Sequence, residues 1–152
     1  MKVKDIMSHS VRAVTPTTSI AEVASLMCLY RFSGLPVVDN GELVGIIAEK
    51  DVLGCLLPNV SELMGNMATI NFDELVDNYG DVMKMRVADL MTPGVLSVSP
   101  EMHILKAAAV MAGRRFRRIP VTDGGKLIGM LSLGDVHKAI FHENIPENLS
   151  AA

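Results

Sequence analysis

The sequence predicts an α/β fold of the α+β type, in which the same unit occurs twice, each time as a small three-stranded sheet with two helices. A shift of 84 residues (87 minus 3) places "VKDIMSHSVRAVTPTTSI" over "VADLMTPGVLSVSPEMHI" without a gap. At the same shift, "RFSGLPVVDNGELVGIIAEKDV" lies over "RFRRIPVTDGGKLIGMLSLGDV". In each copy, short apolar runs flank a tight turn and follow a stretch with helical spacing. So long a gapless match predicts an internal duplication.

The match sets the boundaries of the two copies. Repeat 1 covers residues 1–57, and repeat 2 covers residues 87–152 together with a C-terminal tail. Residues 58–86 match neither copy, and we call them the connector. A chain of 152 residues is long enough for one domain or two very small ones, and it can bury a core of its own.

Repeat 1 begins with a short strand and a helix. The strand is predicted at residues 11–14, and Ser19 and Glu22 have the capping-box spacing that marks a helix start. The helix carries an apolar stripe formed by Ile20, Val23, Ala24 and Met27.

A hairpin and a second helix complete each copy. "LPVV" and "LVGII" are predicted strands joined by "DNG", since Asn-Gly suits the positive φ angles of a type I′ turn. Repeat 2 has "IPVT", "DGG" and "LIGML" at the same places. Because these strands are almost wholly apolar, both faces of each sheet are expected to be covered.

The connector is predicted to contain one helix. Asn71 and Glu74 have capping spacing. The apolar residues after them follow helical spacing, and they are Leu75, Val76, Tyr79, Val82 and Met83. Two interpretations remain open: the connector packs on its own chain, or it forms a contact surface for another subunit or a partner.

The composition excludes several classes of protein. The apolar share is 49% before the 12 glycines are counted, against about 45–50% with glycine in ordinary domains, which predicts apolar surface buried between subunits. The net charge of −3 gives no general attraction to nucleic acid. No apolar run reaches the roughly 18 residues of a membrane span, and the opening residues lack a signal peptide's apolar region, so we expect a cytoplasmic protein.

Side chains that often carry chemistry do not cluster in this sequence. Cys28 and Cys55 lack metal-type spacing and lie among apolar residues, which predicts reduced thiols in the core. No metal site is expected from the four histidines, which are His9, His103, His137 and His142. Without a nucleophile and base pair, the sequence does not predict an enzyme.

The two copies resemble a tandem pair of cystathionine-β-synthase (CBS) domains, the unit often called a Bateman module. The resemblance is carried by "D-[IL]-M-[ST]", "[LI]-P-V", "D-x-G" and "L-[VI]-G … D-V", which occur in both copies. It implies that the units pack about a pseudo-twofold axis with a cleft on each side. It also implies pairing into homodimers and the sensing of adenine-containing ligands.

The family's pattern Gly-x-x-[Ser/Thr]-x-x-Asp is complete only in repeat 2, as Gly129, Ser132 and Asp135. The resemblance implies that the Asp135 carboxylate accepts hydrogen bonds from the two ribose hydroxyls and that Ser132 completes the contact. Repeat 1 has Ala48 in place of the serine. Ser-x-x-Asp is also a capping box, so helix initiation is an alternative explanation. Asp51 favours the ligand, since it persists where no capping hydroxyl precedes it.

The arginine cluster also distinguishes the copies. The resemblance implies that Arg117 and Arg118 reach the phosphates of a nucleotide, where repeat 1 has Ser33 and Gly34. The alternatives are a solvated helix end or a nucleic-acid patch. The resemblance further implies that the repeat 2 site includes Ile119, Pro120, Met91, Thr92 and Ser99. A weaker second site in repeat 1 would include Asp51, Thr15, Leu35 and Pro36.

The resemblance therefore predicts a regulatory, energy-sensing module that binds AMP, ADP or ATP mainly at the repeat 2 site and modulates an unknown partner protein. One alternative is a structural scaffold without a physiological ligand. Another is a module that binds S-adenosylmethionine or methylthioadenosine.

Overall fold

The computed structural model of the protein describes residues 1–57, 64–65 and 67–150. In chain order its first elements are α1 (Val3–Ile6), α2 (Ile20–Tyr30), β1 (Gly34–Asp39), β2 (Glu42–Ala48) and α3 (Glu49–Gly54). The middle of the chain has α4 (Phe72–Val76), α5 (Tyr79–Met83), α6 (Val87–Leu90) and β3 (Thr92–Pro93). The last elements are α7 (Ile104–Gly113), β4 (Arg118–Asp123), β5 (Lys126–Ser132), α8 (Leu133–Glu143) and α9 (Glu147–Ser150).

The two predicted hairpins are confirmed and have the same register. β1 pairs antiparallel with β2 from Gly34↔Ala48 to Asp39↔Glu42. β4 pairs antiparallel with β5 from Arg118↔Ser132 to Asp123↔Lys126. The φ angles in the first turn are 52° at Asn40 and 82° at Gly41, and those in the second are 57° and 85° at its two glycines. Both turns therefore have the left-handed backbone that Asn-Gly and Gly-Gly favour.

The compact units of the structure do not share the boundaries of the sequence repeats. One unit is residues 12–95, and the other combines residues 1–11 with residues 96–152. Residues 1–11 belong to the same unit as residues 96–152 because backbone hydrogen bonds join them. For example, Val3 N–H donates to Met102 O at 2.8 Å. In the 12–95 unit, Val87 N–H donates to Thr18 O at 2.9 Å. Each unit thus contains the opening segment of the other repeat.

The 12–95 unit is built around a core beneath its hairpin. Ser19 Oγ accepts a hydrogen bond from Glu22 N–H at 3.2 Å, which confirms the predicted start of α2. The stripe of α2 packs into this core through Ile20, Val23 and Met27. The strand predicted at residues 11–14 is wrong: Val14 forms only an isolated parallel bridge with Val37. Val14 N–H donates to Pro36 O at 3.0 Å and Val14 O accepts from Val38 N–H at 2.8 Å, and the turn with the bond from Thr18 N–H to Thr15 O at 3.1 Å begins directly after it.

The other unit has an equivalent core, completed by the segment of residues 1–11. Val3 and Met7 are buried beside Met111 of α7 and Leu131 of β5. Val98 forms the bridge to Val121 that corresponds to the bridge at Val14. On the surface, Glu101 accepts hydrogen bonds from Lys2 Nζ at 2.7 Å and Lys4 Nζ at 2.9 Å. These bonds lower the pKa of Glu101 to about 2.

Within residues 67–86, the connector has a 3₁₀ helix (Met67–Thr69) and the two short α-helices α4 and α5, where one helix was predicted. Asn71 Oδ1 accepts a hydrogen bond from Glu74 N–H at 3.2 Å, which confirms the predicted cap. The helix breaks after Val76 because Asn78 has ψ −7° and its N–H bonds to Leu75 O in a tight turn. As a result Val82 is buried in the core of the 12–95 unit, whereas Val76 is 61% exposed. The remaining connector prediction, for residues 58–63 and 66, lies outside the described residues.

The prediction that Cys28 and Cys55 are core thiols is wrong, because both are exposed. Cys28 follows the buried Met27, and a residue one position further along a helix points to a different side. Cys55 lies at the end of α3, where its Sγ is 3.5 Å from Asp51 O. In the part of the chain that the structure describes, no three His, Cys, Asp or Glu residues are grouped to hold a metal. Among those same residues, no helix has the length and apolar character to cross a membrane.

Candidate ligand-binding site

The junction of β5 and α8 holds the two residues on which the predicted site depends. Ser132 ends the strand and its Oγ accepts a hydrogen bond from Asp135 N–H at 3.0 Å. In return, Asp135 Oδ2 accepts one from Ser132 N–H at 2.9 Å. The two residues therefore form a capping box, which was the alternative left open by the sequence. A carboxylate has two acceptor oxygens and a serine hydroxyl also has a donor hydrogen, so the cap leaves both groups capacity for a ligand.

The same junction in repeat 1 keeps half of this arrangement. Asp51 Oδ2 accepts a hydrogen bond from Ala48 N–H at 2.8 Å, although Ala48 has no hydroxyl to reciprocate. The sequence interpretation that Asp51 favours a ligand is therefore weakened, because a helix cap alone accounts for the residue. Asp5 and Asp89 accept equivalent bonds from the N–H groups of Lys2 and Arg86, at 2.8 and 2.9 Å.

The backbone brings the two central arginines to this junction. Leu133 N–H, at the start of α8, donates to Arg117 O at 2.9 Å. Arg118 lies directly opposite Ser132 in the β4–β5 ladder, and both arginines are exposed. The copy in repeat 1 is built alike, since Glu49 N–H donates to Ser33 O at 3.0 Å, but Ser33 and Gly34 stand in place of the two arginines. The arginine pair is thus found only at the repeat 2 junction, whereas repeat 1 has Lys50 beside Asp51.

Three further predicted residues lie in the same unit. Pro120 O accepts a hydrogen bond from Val98 N–H at 3.0 Å, which places Ser99 beside the strand that carries Pro120. Ser99 Oγ already accepts a bond from Glu101 N–H at 3.2 Å. Ile119 is fully buried in the core and pairs with Leu131 of β5.

The residues of the weaker second site lie together in the 12–95 unit. Leu35 is buried in the core, as Ile119 is in the other unit. Pro36 O accepts a bond from Val14 N–H at 3.0 Å, which places Thr15 next to β1. The hydroxyl of Thr15 is 3.2 Å from Thr17 Oγ1 and 3.1 Å from Thr18 Oγ1. The threonine is therefore engaged within its own turn.

The structure does not bring Met91 and Thr92 into the unit that contains Asp135. They belong to the 12–95 unit, where Thr92 pairs with Ile46 of β2. The corresponding place beside β5 is taken by Met7 and Ser8. Ser8 N–H donates to Met130 O at 2.9 Å, and Met130 N–H donates to Ser8 O at 3.0 Å.

Sequence reasoning missed Ser8 because its partner, Met130, is far away in the sequence. Gly129 is the signal in the sequence that could have revealed this contact. A Cβ on Gly129 would lie 2.8 Å from Ser8 O and 2.7 Å from Met7 Sδ. Glycine inside an apolar strand marks such close approaches. Ser8 and Ser132 lie on the same face of β5, since Met130 pairs with Ser8 and is two residues from Ser132.

Comparison with known proteins identifies both copies. The family model described as the CBS domain matches residues 3–58 and 87–142. The chain is 31% identical over 154 residues to the uncharacterized protein MJ1426 of Methanocaldococcus jannaschii, covering 92% of this chain and 91% of that protein. It is 33% identical over 142 residues to the chloroplastic CBSX2 of Arabidopsis thaliana, covering 86% of this chain but 59% of that relative.

A solved structure of the plant relative agrees with this fold. The crystal structure of CBSX2 in complex with AMP matches with a TM-score of 0.71 and 31% identity, covering 93% of this chain and 97% of that chain. The family resemblance found in the sequence is therefore confirmed.

Proposed function

The chain belongs to the CBS-domain family, and from that premise we propose that it is a regulatory module that binds an adenine nucleotide at the β5–α8 junction. AMP, ADP and ATP share the adenosine and the phosphate that this junction suits. The AMP-bound structure of CBSX2, at 31% identity, supports this class of ligand.

The observation that carries the proposal is the coincidence of three chemical groups at one junction. Asp135 Oδ1 accepts from the neighbouring ribose hydroxyls, and the Ser132 hydroxyl completes the contact. Arg117 and Arg118 bind phosphate oxygens, which the planar guanidinium matches in pairs. Repeat 1 has only the carboxylate of Asp51. The dominant site is therefore assigned to repeat 2, and a weaker one to Asp51 with Thr15 and Pro36.

The proposed nucleotide site also includes Ser8, which the resemblance did not name, while Met91 and Thr92 stay predictions. Ser8 is exposed and belongs to the unit of Asp135, through its ladder bonds to Met130. Pro120 and Ser99 lie beside these residues. Pro120 is buried and its carbonyl accepts from Val98 N–H, whereas the exposed Ser99 hydroxyl keeps a donor hydrogen for the adenosine.

The module acts by ligand-dependent binding to a partner, without chemistry of its own. A ligand shifts a partner's affinity only if it binds two arrangements of the module differently. We also propose a homodimer, since large apolar side chains such as Leu29, Leu105 and Phe141 are 73%, 56% and 48% exposed. Light scattering that gives the 16.4 kDa mass of one chain at micromolar concentration would exclude the dimer.

Thermal unfolding with nucleotides tests the ligand. A ligand at about 100 times its Kd adds about 2.7 kcal/mol, and a chain of this size gains about 2–4 °C per kcal/mol. AMP, ADP or ATP is thus expected to raise the midpoint by several degrees, with smaller effects from GMP and CMP. A flat response to all three adenine nucleotides at millimolar concentration would refute nucleotide binding.

A second candidate function is an interaction scaffold without a physiological ligand. It is favoured by the capping bond of Asp51, which shows that this aspartate has a structural role in repeat 1. Mass spectrometry of small molecules retained by the purified protein separates the candidates. A retained nucleotide supports the sensor, retained S-adenosylmethionine or methylthioadenosine indicates a phosphate-free adenosyl ligand, and an empty protein with a flat thermal response supports the scaffold.

A further inference from the structure

His103 is the N-cap of α7, and its side chain forms the cap. Its Nδ1 accepts a hydrogen bond from Leu105 N–H at 3.1 Å. A backbone N–H can only donate, so Nδ1 carries no proton and the imidazole is neutral. A protonated imidazole has donors on both nitrogens and cannot accept this bond. The cap therefore exists only in the neutral form of this exposed histidine.

The matching cap in repeat 1 does not titrate. At the shift of 84 residues, Ser19 stands where repeat 2 has His103. The Ser19 hydroxyl caps α2 by accepting from Glu22 N–H at 3.2 Å. A serine hydroxyl keeps its acceptor lone pairs in acid and in base. The two equivalent helices thus differ in whether protons can remove the cap.

The backbone around His103 also holds residues 1–11 on their unit. Lys2 forms an antiparallel bridge with His103. Ile104 N–H, at the first position of α7, donates to Met1 O at 3.1 Å. Disturbing the start of α7 therefore disturbs the bonds that fix this segment.

Several charged groups adjoin this contact. The cations come from residues 1–11 and from the first turn of α7, and they are the amino group of Met1, Lys2, Lys4 and Lys106. The carboxylate of Glu101 is bonded to Lys2 Nζ and Lys4 Nζ, and that of Asp5 accepts from Lys2 N–H. In the part of the chain that the structure describes, no carboxylate forms an ion pair with His103. The positive end of the α7 dipole lies at the same place, so a charge on His103 gains nothing that replaces the lost cap.

We propose that His103 is a pH-sensitive latch, whose protonation uncaps α7 and makes residues 1–11 open more often from their unit. Histidine side chains ordinarily change charge near pH 6.5. The stability that the neutral cap supplies is therefore present at pH 7.5 and lost at pH 5.5. Acidification would also reduce the time that Ser8 spends beside β5, a step that rests on the proposed function. The latch itself is tested without nucleotide, so either proposal can fail alone.

Thermal unfolding at pH 7.5 and 5.5 tests the cap. His103→Ser copies the cap of repeat 1, His103→Ala has no cap, and His137→Gln removes another exposed histidine as the control. One cap changes the midpoint by about 2–4 °C in a chain of this size. On acidification, the wild type should lose that amount relative to His103→Ser and lose its advantage over His103→Ala. Glu101 stays ionised throughout, since its bonds to Lys2 and Lys4 lower its pKa to about 2.

Hydrogen exchange reports on the segment itself. Val3 N–H donates to Met102 O at 2.8 Å and Lys4 N–H donates to Pro100 O at 2.9 Å. Their sequence neighbours are the same in all variants, so a ratio of rates at one pH cancels the intrinsic rate of exchange. At pH 5.5 both amides should exchange about fivefold faster in the wild type than in His103→Ser, and at pH 7.5 the ratio should be close to one.

Three results would overturn the proposal. One is a constant difference in midpoint between the wild type and His103→Ser at the two pH values. Another is an exchange ratio close to one at pH 5.5. The third is loss of the pH effect in His137→Gln, because a different histidine would then be responsible.

Discussion

The Asp51 carboxylate accepts a hydrogen bond from the backbone N–H of Ala48 at 2.8 Å, and no hydroxyl takes part. The same bond joins Asp135 and Ser132 at 2.9 Å in repeat 2. Removing either aspartate therefore removes a helix cap, and only Asp135 belongs to the proposed dominant nucleotide site. Repeat 1 provides a matched structural control for every test at the repeat 2 junction.

Asp135→Ala and Asp51→Ala are expected to have similar effects on stability and different effects on binding. Each loses a capping bond worth about 1 kcal/mol. Asp135→Ala also loses a charged contact to ribose worth about 1.5–3 kcal/mol, so nucleotide affinity should fall about tenfold to a hundredfold. Denaturant unfolding and titration calorimetry measure the two quantities. Equal losses of affinity, or a larger loss from Asp51→Ala, would mean that the ligand is assigned to the wrong copy.

Arg117→Ser, which copies Ser33 of repeat 1, should weaken binding of ATP and AMP while leaving adenosine nearly unaffected, because only the phosphate contact is lost. Arg114→Ser removes the same charge outside the junction and is the control. Calorimetry at low and high salt should show that Arg117→Ser alone reduces the salt dependence. An equal effect of the two variants would point to general electrostatic attraction.

Ser8→Ala is expected to weaken nucleotide binding more than Thr92→Ala does, because Ser8 shares the unit and the strand face of Ser132. Both side chains are exposed, so neither change should lower the unfolding temperature much. Competition titrations against AMP decide between them. A larger loss of affinity from Thr92→Ala than from Ser8→Ala would mean that Thr92 contributes more to the site.

The stability that the 1–11 segment gains from its bonds to Glu101 should change with pH in the acidic range. The hydrogen bonds from Lys2 and Lys4 lower the pKa of Glu101 to about 2, from an ordinary value of 4.5. A lowered pKa stabilises the fold above the ordinary value, and this contribution is lost as the pH falls from 4.5 towards 2. Thermal unfolding of the protein and of Glu101→Gln should therefore differ at pH 6 and converge near pH 2. If the two unfolding temperatures differ by the same amount at pH 6 and near pH 2, the stabilising role of ionised Glu101 is contradicted.

Gly129→Ala should be destabilising because its Cβ would lie 2.8 Å from the backbone oxygen of Ser8. Gly45→Ala faces Thr92 O at the same distance and should behave alike. Gly54→Ala, with open space around it, is the control. Denaturant midpoints compare the three variants. Tolerance of alanine at Gly129 would mean that the 1–11 segment is not held closely against β5.

Local patterns predicted much of the fold. The Asn40-Gly41 turn, the Ser19 cap and the Asn71 cap depend on a few adjacent residues, and each is found where the sequence places it. The strand at residues 11–14 was wrong because apolar residues at Val11 and Val14 do not by themselves supply a pairing partner, and only Val14 meets β1. The cysteines were misplaced because apolar neighbours along a helix do not determine which side a residue faces.

The site was predictable only in part, for a related reason. The pattern at the junction is local, because one hairpin, the residue before it and the first turn of the next helix contain Arg117, Arg118, Ser132 and Asp135. The contact of Ser8 with Met130 joins residues far apart in sequence, and two equivalent segments were available to fill that position. Local propensity does not determine whether the segment of Ser8 or that of Thr92 pairs with β5. The backbone hydrogen bonds show that Ser8 pairs with Met130 of β5.

The grouping of residues 1–11 with residues 96–152 has a consequence for synthesis on the ribosome. The 12–95 unit is complete in sequence before residue 96 is made, but Val3 and Met7 have no core to enter until Leu131 and Val136 emerge. At about 5–20 residues per second, the interval between residues 11 and 136 is about 6–25 s. During that time residues 1–11 expose apolar side chains, so chaperone binding should concentrate there, and translation pauses after residue 95 should lengthen the exposure.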